Sequence, residues 1–266
     1  MLLPVHRTET SVLLQALAGL ALSTEQDLIV HLGLDGPADP SQLEAVSKLA
    51  ARCGLQLQIH QFPRQGLVVT LNKLIDLSDS EYLARQDGDD MSLPTRLQEQ
   101  RESLEAQPEM SFCGTQMSRC SAELVPLRHQ RRYPRQFLSQ LAYASCLNNP
   151  IAHPTLMLRR AHLGDHRYRD VPGAEDWQLY VDLWGDGRRS FNTRSTGLLY
   201  RTHPGQITAQ ARDGSTIYRL QQASLQASRL HGLAPQWLAV HWLSQSLKLT
   251  EGTLALRRFW QSGRSS

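Results

Sequence analysis

Residues Tyr82–Leu97 have the sequence YLARQDGDDMSLPTRL, in which a short apolar run is followed by three carboxylates and then by a helix start. Asp87, Asp89 and Asp90 repel one another, so they stay ionised together most easily beside a cation. Mg2+ and Mn2+ prefer carboxylate and phosphate oxygens and commonly bind one or two protein carboxylates plus a substrate phosphate. The cluster therefore suggests a metal-bound phosphate ligand. The alternative is a solvated acidic turn, since Asp and Gly are common turn formers.

The composition is that of an ordinary globular protein. Of the 266 residues, 41% are hydrophobic and 20% charged, which allows one sizeable core or a domain with an appendage. The formal net charge of +3 is too small to indicate a nucleic-acid partner. The start Met1-Leu2-Leu3 predicts no basic leader segment, and no apolar run reaches the roughly 18 residues that span a bilayer. We therefore expect a cytoplasmic protein, soluble or attached peripherally to the inner face of the membrane.

The cysteines give no sign of a disulfide framework. They lie at positions 53, 113, 120 and 146 and form no Cys-x-x-Cys pair. This spacing favours buried free thiols in a reducing compartment over disulfides or a zinc site.

Strands and helices alternate over the first ninety residues. Strand-like apolar runs are predicted at 2–5, 28–32, 55–60 and 81–86, and helices between them at 11–22, 40–53 and 67–77. Such alternation predicts an α/β fold with a mostly parallel sheet flanked by helices, whose ligands bind at the carboxyl ends of the strands. Asp35 and the Asp87–Asp90 cluster both lie at predicted strand ends. They can therefore line one crevice.

The second part of the chain has weaker signals. A helix is predicted to start at Ser92 and Pro94, strands at 111–117, 155–158 and 198–201, and a helix after Gly173 that ends at Gly185. Beyond Gly205 the pattern predicts a helical extension with segments at about 216–230, 235–249 and 254–260.

Two basic regions stand out. The loop Arg128–Arg135, RHQRRYPR, suits contact with an anionic ligand or a solvated connection. Residues 210–266 carry seven Lys and Arg against two acids, and end in Arg-Arg-Phe-Trp at 257–260. The tail aromatics, including Trp237, Leu238, His241 and Trp242, either pack on their own domain or dock on an anionic bilayer.

Taken in order, these elements resemble the family 2 glycosyltransferases, nucleotide-sugar enzymes of the Rossmann-like GT-A fold. The resemblance covers residues 1–208 and rests on sequence blocks in the family's order: LNK at 71–73, ARQDGDD at 84–90 followed by SLPTRL, NPIAHP at 149–154, EDWQL at 175–179 and YRTH at 200–203. It implies a GT-A domain at 1–208 and a helical C-terminal extension at 209–266.

The resemblance assigns donor and metal roles. The acidic turn matches the DXD motif, so Asp87 is expected on the ribose side, and Asp89, with Asp87 as a further candidate ligand, on a Mn2+ or Mg2+ ion held against the diphosphate. Asp90 either assists this site or caps the following helix. His203 matches a histidine that completes the metal site in some members. The remaining donor-binding candidates are Pro4, His6, Asp35, Asn72 and Arg85.

The resemblance also assigns an acceptor side. Glu175 and Asp176 match a pair whose Asp is the usual general base for the acceptor hydroxyl, and their place at a helix N-terminus favours the ionised form that a base needs. Helix-dipole compensation alone is the alternative for these acids. His153 matches a residue near the acceptor, although a hydrogen bond to a loop carbonyl would also account for it.

The chain departs from the family pattern at the nucleotide-base pocket. Two adjacent acids usually precede the glycine after the second strand, whereas this sequence has Leu34-Asp35-Gly36, which leaves Asp35 alone to contact the base. The first strand continues into His6 and Arg7 where the family commonly has Tyr and Asn.

The resulting hypothesis is a metal-dependent, inverting glycosyltransferase. It would move a sugar from a nucleotide diphosphate sugar, with a UDP-sugar as first candidate, to a glycan or lipid-linked acceptor in surface polysaccharide or glycolipid assembly. A catalytically silent nucleotide-sugar-binding module is one alternative. A nucleotidyltransferase is the other, but it normally needs a Gly-rich basic loop near the N-terminus, which this sequence lacks.

Overall fold

The computed structural model describes residues 1–146, 149–202 and 214–232. Helices and strands alternate through the first part in the order β1 (Leu2–Val5), α1 (Thr10–Ala21), β2 (Ile29–Asp35), α2 (Pro40–Cys53), β3 (Gln56–Phe62) and α3 (Leu67–Leu77). The three strands form a parallel sheet in the order β1-β2-β3. This part of the predicted fold is confirmed.

Local sequence signals place these helices. Asp39 caps α2 by accepting a hydrogen bond from the backbone N–H of Ser41, and Pro40 opens the helix. Gly54 ends the helix in the left-handed conformation, at φ 65°, which a residue without Cβ adopts readily.

The second part contains β4 (Tyr82–Ala84), β5 (Met91–Ser92), α4 (Arg96–Glu105), β6 (Phe112–Cys120), α5 (Phe137–Cys146), a 3-10 turn at His153–Thr155, β7 (Met157–Arg159), α6 (Arg160–Leu163), α7 (Glu175–Gly185), β8 (Ser190–Arg201) and α8 (Gly214–Leu230). Its five strands form a mixed sheet in the order β4-β7-β6-β8-β5. The long pairing, β6 with β8, is parallel, whereas the antiparallel pairings of β4, β5 and β7 are short.

The two sheets meet where the acidic turn begins. Arg85 forms a parallel bridge with Leu2, and Gln86 N–H donates to the Leu2 carbonyl at 3.1 Å. On the other side, Arg85 N–H donates to the Leu156 carbonyl at 2.8 Å. The chain therefore emerges from between the sheets at Asp87, beside the carboxyl end of β1.

Apolar residues bury both faces of the first sheet. Along β1, Leu3 and Val5 join a cluster with α1 and α2, while Leu2 joins a second cluster with α3. The second cluster continues through Phe112 and the aromatic side of α7 to Leu220 of α8. The α8 helix thus shares a core with the preceding residues, and the predicted boundary at 208/209 stays a prediction.

Several sequence predictions need correction. Ser92 does not start a helix, because Met91 and Ser92 pair with β8 first and α4 begins at Arg96. Helix α5 was not predicted, and β8 begins at Ser190, eight residues before the predicted strand. Cys53 is exposed, whereas Cys113 and Cys120 are buried free thiols as predicted.

Two of the three predicted C-terminal helices, at 235–249 and 254–260, lie outside the described residues, and the third corresponds to α8. No helix within the described ranges is both long and apolar enough to cross a bilayer.

Candidate active site

The acidic turn follows β4 and brings three carboxylates together. One oxygen each from Asp87, Asp89 and Asp90 lies within 4.8 Å of the others. Gly88 makes this close turn possible, because a Cβ at this position would lie 2.6 Å from Cγ2 of Val5. The turn therefore presses against the end of β1, and its carboxylates face one another at the carboxyl edge of the first sheet.

A buried polar network supports the turn from below. Gln86 donates to the Asp90 carbonyl at 3.0 Å and accepts from the Ser92 hydroxyl at 2.5 Å. Arg96 donates to Ser92 Oγ at 2.9 Å and to the Arg85 carbonyl at 2.6 Å. Burial lowers the pKa of Arg96 to about 9, so its cation persists at neutral pH beneath the three acids.

Asp87 is held by an arginine fork. Arg85 Nη1 donates to Asp87 Oδ2 at 2.7 Å, and Nη2 donates to Oδ1. Burial and then Asp89 raise the pKa of Asp87, while Arg85 opposes the shift. The bidentate geometry fixes the carboxylate plane, which is how an arginine orients an acid for a further contact.

Asp90 is almost fully buried and only half satisfied. Its Oδ1 accepts the Arg201 backbone N–H at 2.9 Å, but its Oδ2 has no hydrogen-bond partner within the described structure. Burial, followed by repulsion from Asp87 and Asp89, raises the pKa of Asp90 well above its ordinary value. An orphaned buried oxygen among three crowded carboxylates fits a divalent cation, whose charge would offset all three effects.

The end of β8 is tied to the same turn. The Arg201 guanidinium donates to the Asp89 carbonyl at 2.8 Å and to Gln15 Oε1 of α1 at 2.8 Å. The predicted metal ligand His203 lies two residues further on, outside the described residues.

The predicted base pocket lies at the neighbouring strand ends. Asp35 Oδ1 accepts from the backbone N–H of Gln65 at 2.7 Å, and Oδ2 accepts from Gly66 N–H at 3.0 Å. His6 Nδ1 lies 2.8 Å from the Asp35 carbonyl oxygen, and Pro4 lies in β1 opposite Gly33. Asp35 therefore fixes the loop before α3, and its predicted contact with a base stays a prediction.

Asn72 is engaged by the backbone of Tyr168. Its amide nitrogen donates to the Tyr168 carbonyl at 2.9 Å, and its oxygen accepts Tyr168 N–H at 2.9 Å. Both ends of the side chain thus hold the segment before α7, and the donor-binding role predicted for Asn72 stays a prediction.

A second acidic pair opens α7. Asp176 Oδ2 accepts from the Asn149 amide at 2.5 Å, and Oδ1 accepts from the backbone N–H of Trp177 at 2.7 Å. Asn149 is oriented in turn, because its own oxygen accepts Ile151 N–H at 3.2 Å. Both carboxylate oxygens of Asp176 therefore accept hydrogen bonds at the start of α7.

A histidine and a tyrosine lie between the two acidic clusters. His153 Nε2 is 3.0 Å from the Tyr168 hydroxyl, and Nδ1 is 4.0 Å from Glu175 Oε1. Burial, followed by the field of Arg85, lowers the pKa of His153 well below its ordinary value, so the ring is neutral at pH 7. The same guanidinium acts on the pKa of Tyr168, which burial raises.

Sequence reasoning did not assign roles to three residues of this site. Asn149 and Arg201 lay inside quoted sequence blocks but had no assigned chemistry, and Tyr168 lay outside every block. Tyr168 gave no signal, because its contacts with Asn72 and His153 come from residues that are distant in sequence.

A large open cleft in the described part of the chain lies elsewhere. It has a volume of about 680 Å3 and lies between the second half of α7, α8 and the segment at 165–169. Ion pairs of His166 with Asp186 and of Arg169 with Asp182 line it, and none of the clustered acids does. None of the candidate site residues that the structure describes lines this cleft, so the candidate site rests on the clustered carboxylates and not on cleft size.

Comparison with known proteins identifies related sequences and folds. Residues 2–166 match the family described as Glycosyl transferase family 2. EpsE of Bacillus subtilis (strain 168), whose name assigns it provisionally as a glycosyltransferase, is 29% identical over 130 residues, which cover 47% of this chain and 45% of EpsE. The match thus spans less than half of that curated relative.

Solved structures share the fold at low identity. TarS of S. aureus, residues 1–349 in complex with UDP-GlcNAc, superposes with a TM-score of 0.67 at 16% identity, over 85% of this chain and 65% of TarS. The mannosyltransferase PcManGT of Pyrobaculum calidifontis, in complex with GDP-Man and Mn2+, gives a TM-score of 0.61 at 14% identity, over 98% of this chain and 82% of PcManGT. The expected α/β GT-A architecture is confirmed.

Proposed function

Since the chain belongs to glycosyl transferase family 2, we propose that it moves a sugar from a nucleoside diphosphate sugar to an acceptor hydroxyl in one inverting displacement. The observation that carries the proposal is the Asp87, Asp89 and Asp90 cluster, with its orphaned buried Asp90 Oδ2. A diphosphate bound together with a divalent cation complements this cluster, whereas a solvated acidic turn would not bury one of its carboxylates.

On the donor side, the three clustered acids take two roles. Arg85 holds Asp87 in a fixed plane, in position to meet the ribose, while Asp89 and Asp90 would hold Mn2+ or Mg2+. Such an ion neutralises the negative charge that develops on the departing diphosphate. His203 would complete this ligand set.

On the acceptor side, Asp176 is the proposed general base. Its two hydrogen-bond donors and the α7 N-terminus keep it ionised and oriented, so it can take the proton from the acceptor hydroxyl as that oxygen attacks the anomeric carbon. Glu175 and the neutral ring of His153 are proposed to border the acceptor. The two side chains lie 4.0 Å apart, Nδ1 to Oε1, next to Asp176.

We assign a UDP-sugar as the first donor to test. TarS was solved with UDP-GlcNAc and PcManGT with GDP-Man, so both bases belong in the assay. Asp35, His6 and Pro4 would border the base, with Asp35 holding the Gln65–Gly66 backbone beside it. The acceptor class we propose is a glycan or lipid-linked sugar of surface polysaccharide or glycolipid assembly, on the cytoplasmic side of the membrane.

The test is release of nucleoside diphosphate from a panel of UDP- and GDP-sugars with Mn2+. Slow release in the absence of acceptor, lost in Asp89→Asn, supports the proposal. Release of pyrophosphate instead would indicate a nucleotidyltransferase. A thermal shift with a nucleotide sugar but no product would indicate a silent binding module, since ligand at about 100 times its Kd adds roughly 2.7 kcal/mol of stability.

A further inference from the structure

The segment between β6 and α5 carries an excess of positive charge that the proposed chemistry does not use. Residues 119–135 contain five arginines and one acid, Glu123, a formal charge of +4. Arg128, Arg132 and Arg135 are exposed, and none forms an ion pair with a described residue. We call residues 119–138 the arginine-rich surface.

This surface is anchored to the second sheet. Tyr133 N–H donates to Gln116 Oε1 of β6 at 2.9 Å, and the Gln116 amide donates back to the Tyr133 carbonyl at 3.1 Å. Asn192 of β8 donates to the Pro134 carbonyl at 2.6 Å. The arginines therefore project from a loop that hydrogen bonds already hold in place. Binding through them then loses little additional conformational entropy in this loop.

Apolar side chains are exposed on the same segment. The bridge between Cys120 and Pro126 folds residues 119–127 into a narrow hairpin, on which Val125 is 61% and Leu127 is 37% exposed. Leu138, at the start of α5, is 47% exposed. In an extended segment alternate residues face the same side, so Val125 and Leu127 present one apolar edge beside the cations.

The surface also adjoins the proposed general base. Arg131 stacks over the rings of Tyr133 and Tyr143 and donates to the Asn149 carbonyl at 2.8 Å. Asn149 itself donates to Asp176. One hydrogen-bonded residue thus separates the arginine-rich surface from the carboxylate that would receive the acceptor proton.

We propose that the arginine-rich surface docks on an anionic phospholipid bilayer. Arginines attract the lipid headgroups, and exposed aliphatic side chains beside them insert into the headgroup boundary. A soluble polyanionic glycan would bind the arginines but leave Val125, Leu127 and Leu138 exposed to water. A bilayer would bind the arginines and also bury these apolar side chains, so it fits the surface better. Resting on the proposed function, this docking would bring a lipid-linked acceptor to the Asp176 side of the molecule.

The experiment is co-sedimentation of the full chain with vesicles of phosphatidylcholine alone, or with about 30% phosphatidylglycerol, at low and high salt. The parent should sediment with anionic vesicles only and be released by salt, because exposed charges are screened within about 10 Å at 0.1 M. Arg128→Gln/Arg132→Gln should weaken binding by about 30-fold, at roughly fivefold for each cation. Val125→Ser/Leu127→Ser should weaken binding by about fivefold or more.

Matched control variants test whether binding depends on this surface or only on the total charge and hydrophobicity of the protein. Arg52→Gln/Arg194→Gln removes two other exposed arginines, and Leu22→Ser/Leu77→Ser removes two other exposed leucines; neither should change binding. Melting curves check that all four variants fold.

Two results overturn the proposal. The first is that the parent protein does not sediment with anionic vesicles. If Arg128→Gln/Arg132→Gln then lowers the use of a soluble polyanionic acceptor, the surface binds that acceptor instead. The other is vesicle binding that survives both surface variants, which would assign the attachment to the C-terminal tail. Nucleoside diphosphate release, measured without vesicles, distinguishes failure of the docking from failure of the proposed function. Release without vesicle binding overturns the docking alone, and vesicle binding without release overturns the proposed function alone.

Discussion

Two acidic clusters of similar burial are built in opposite ways. Asp90 is 1% exposed and Asp176 is 8% exposed, yet Asp90 has one oxygen without a partner while both oxygens of Asp176 accept hydrogen bonds. Asp90 shares its turn with two more acids, and repulsion adds to burial in raising its pKa. Asp176 has an amide donor and a helix N-terminus instead.

Among the described residues, both oxygens of the Asp176 carboxylate have hydrogen-bond partners, whereas only one oxygen of Asp90 does. A carboxylate satisfied by N–H donors is stable as an anion and can act as a base without any added group. Three facing carboxylates with an orphaned oxygen repel one another as anions, and a bound cation would offset that repulsion. Under the proposed function, the same residue type serves as the base in one place and as part of an ion-binding site in the other.

The largest expected effect comes from removing the base. Asp176→Asn should lower turnover by about 10^2- to 10^4-fold with little change in donor affinity, because the amide keeps the shape but cannot take a proton. Steady-state rates of sugar transfer, with calorimetry of donor binding, measure both quantities. Unchanged turnover would show that Asp176 is not the base, and Glu175→Gln would then be tested in the same way.

Next in size is the loss of an acid from the ion-binding turn. Asp89→Asn should weaken Mn2+-dependent binding of a nucleoside diphosphate by at least the 10- to 100-fold that loss of even an indirect metal contact costs. The melting temperature without Mn2+ should stay close to that of the parent, because the side chain lies on a turn and not in the core. Equal affinity of parent and variant in calorimetry would rule out Asp89 as a metal ligand.

A smaller effect is expected from the residue that orients the base. Asn149→Ala removes one of the two donors to Asp176 and should lower turnover by about tenfold while donor affinity holds. The control is Ser190→Ala, which removes a buried hydrogen bond from Trp184 Nε1 and touches neither oxygen of Asp176. If both variants lose turnover equally, Asn149 acts through general packing and not through Asp176.

The smallest expected effect is on the melting temperature of the metal-free protein, where substitutions in the two clusters should act in opposite directions. Asp90→Asn removes a crowded buried charge and keeps an oxygen for Arg201 N–H, so the metal-free variant should melt a few degrees higher than the parent. In Asp176→Asn, an amide N–H group would face the Asn149 amide, so two donors meet without an acceptor. The free energy of unfolding of this variant should fall by about 1–3 kcal/mol, with a lower melting temperature. Melting curves in chelator at pH 7 compare the two, and shifts of the same sign would end the distinction between the clusters.

The sequence predicted the first sheet well because its signals are local. The bounds of β1 and α3 agree with those predicted, and the caps Asp39 and Gly54 lie where the turn residues indicated. The acidic turn was also predictable, since three acids around a glycine after an apolar run are visible without any partner.

The errors involve pairings between distant residues. Two residues, Met91 and Ser92, form a strand only because Leu198 and Leu199 lie beside them. The start of β8 was missed because its register against β6 shifts twice and buries a polar residue, Asn192, which breaks simple alternation. In the site, the clamp of Asn72 on Tyr168 spans 96 residues and leaves no trace in local sequence.

The contact of Gly88 with Val5 has a consequence for how such sequences can change over time. A Cβ at position 88 would need the space that Cγ2 of Val5 occupies, so the first strand and the acidic turn share a single small volume. An alanine at 88 then requires a smaller side chain at 5, and neither substitution alone predicts the effect of the pair. In a collection of related sequences, positions 5 and 88 should therefore co-vary in side-chain size, although 83 positions separate them.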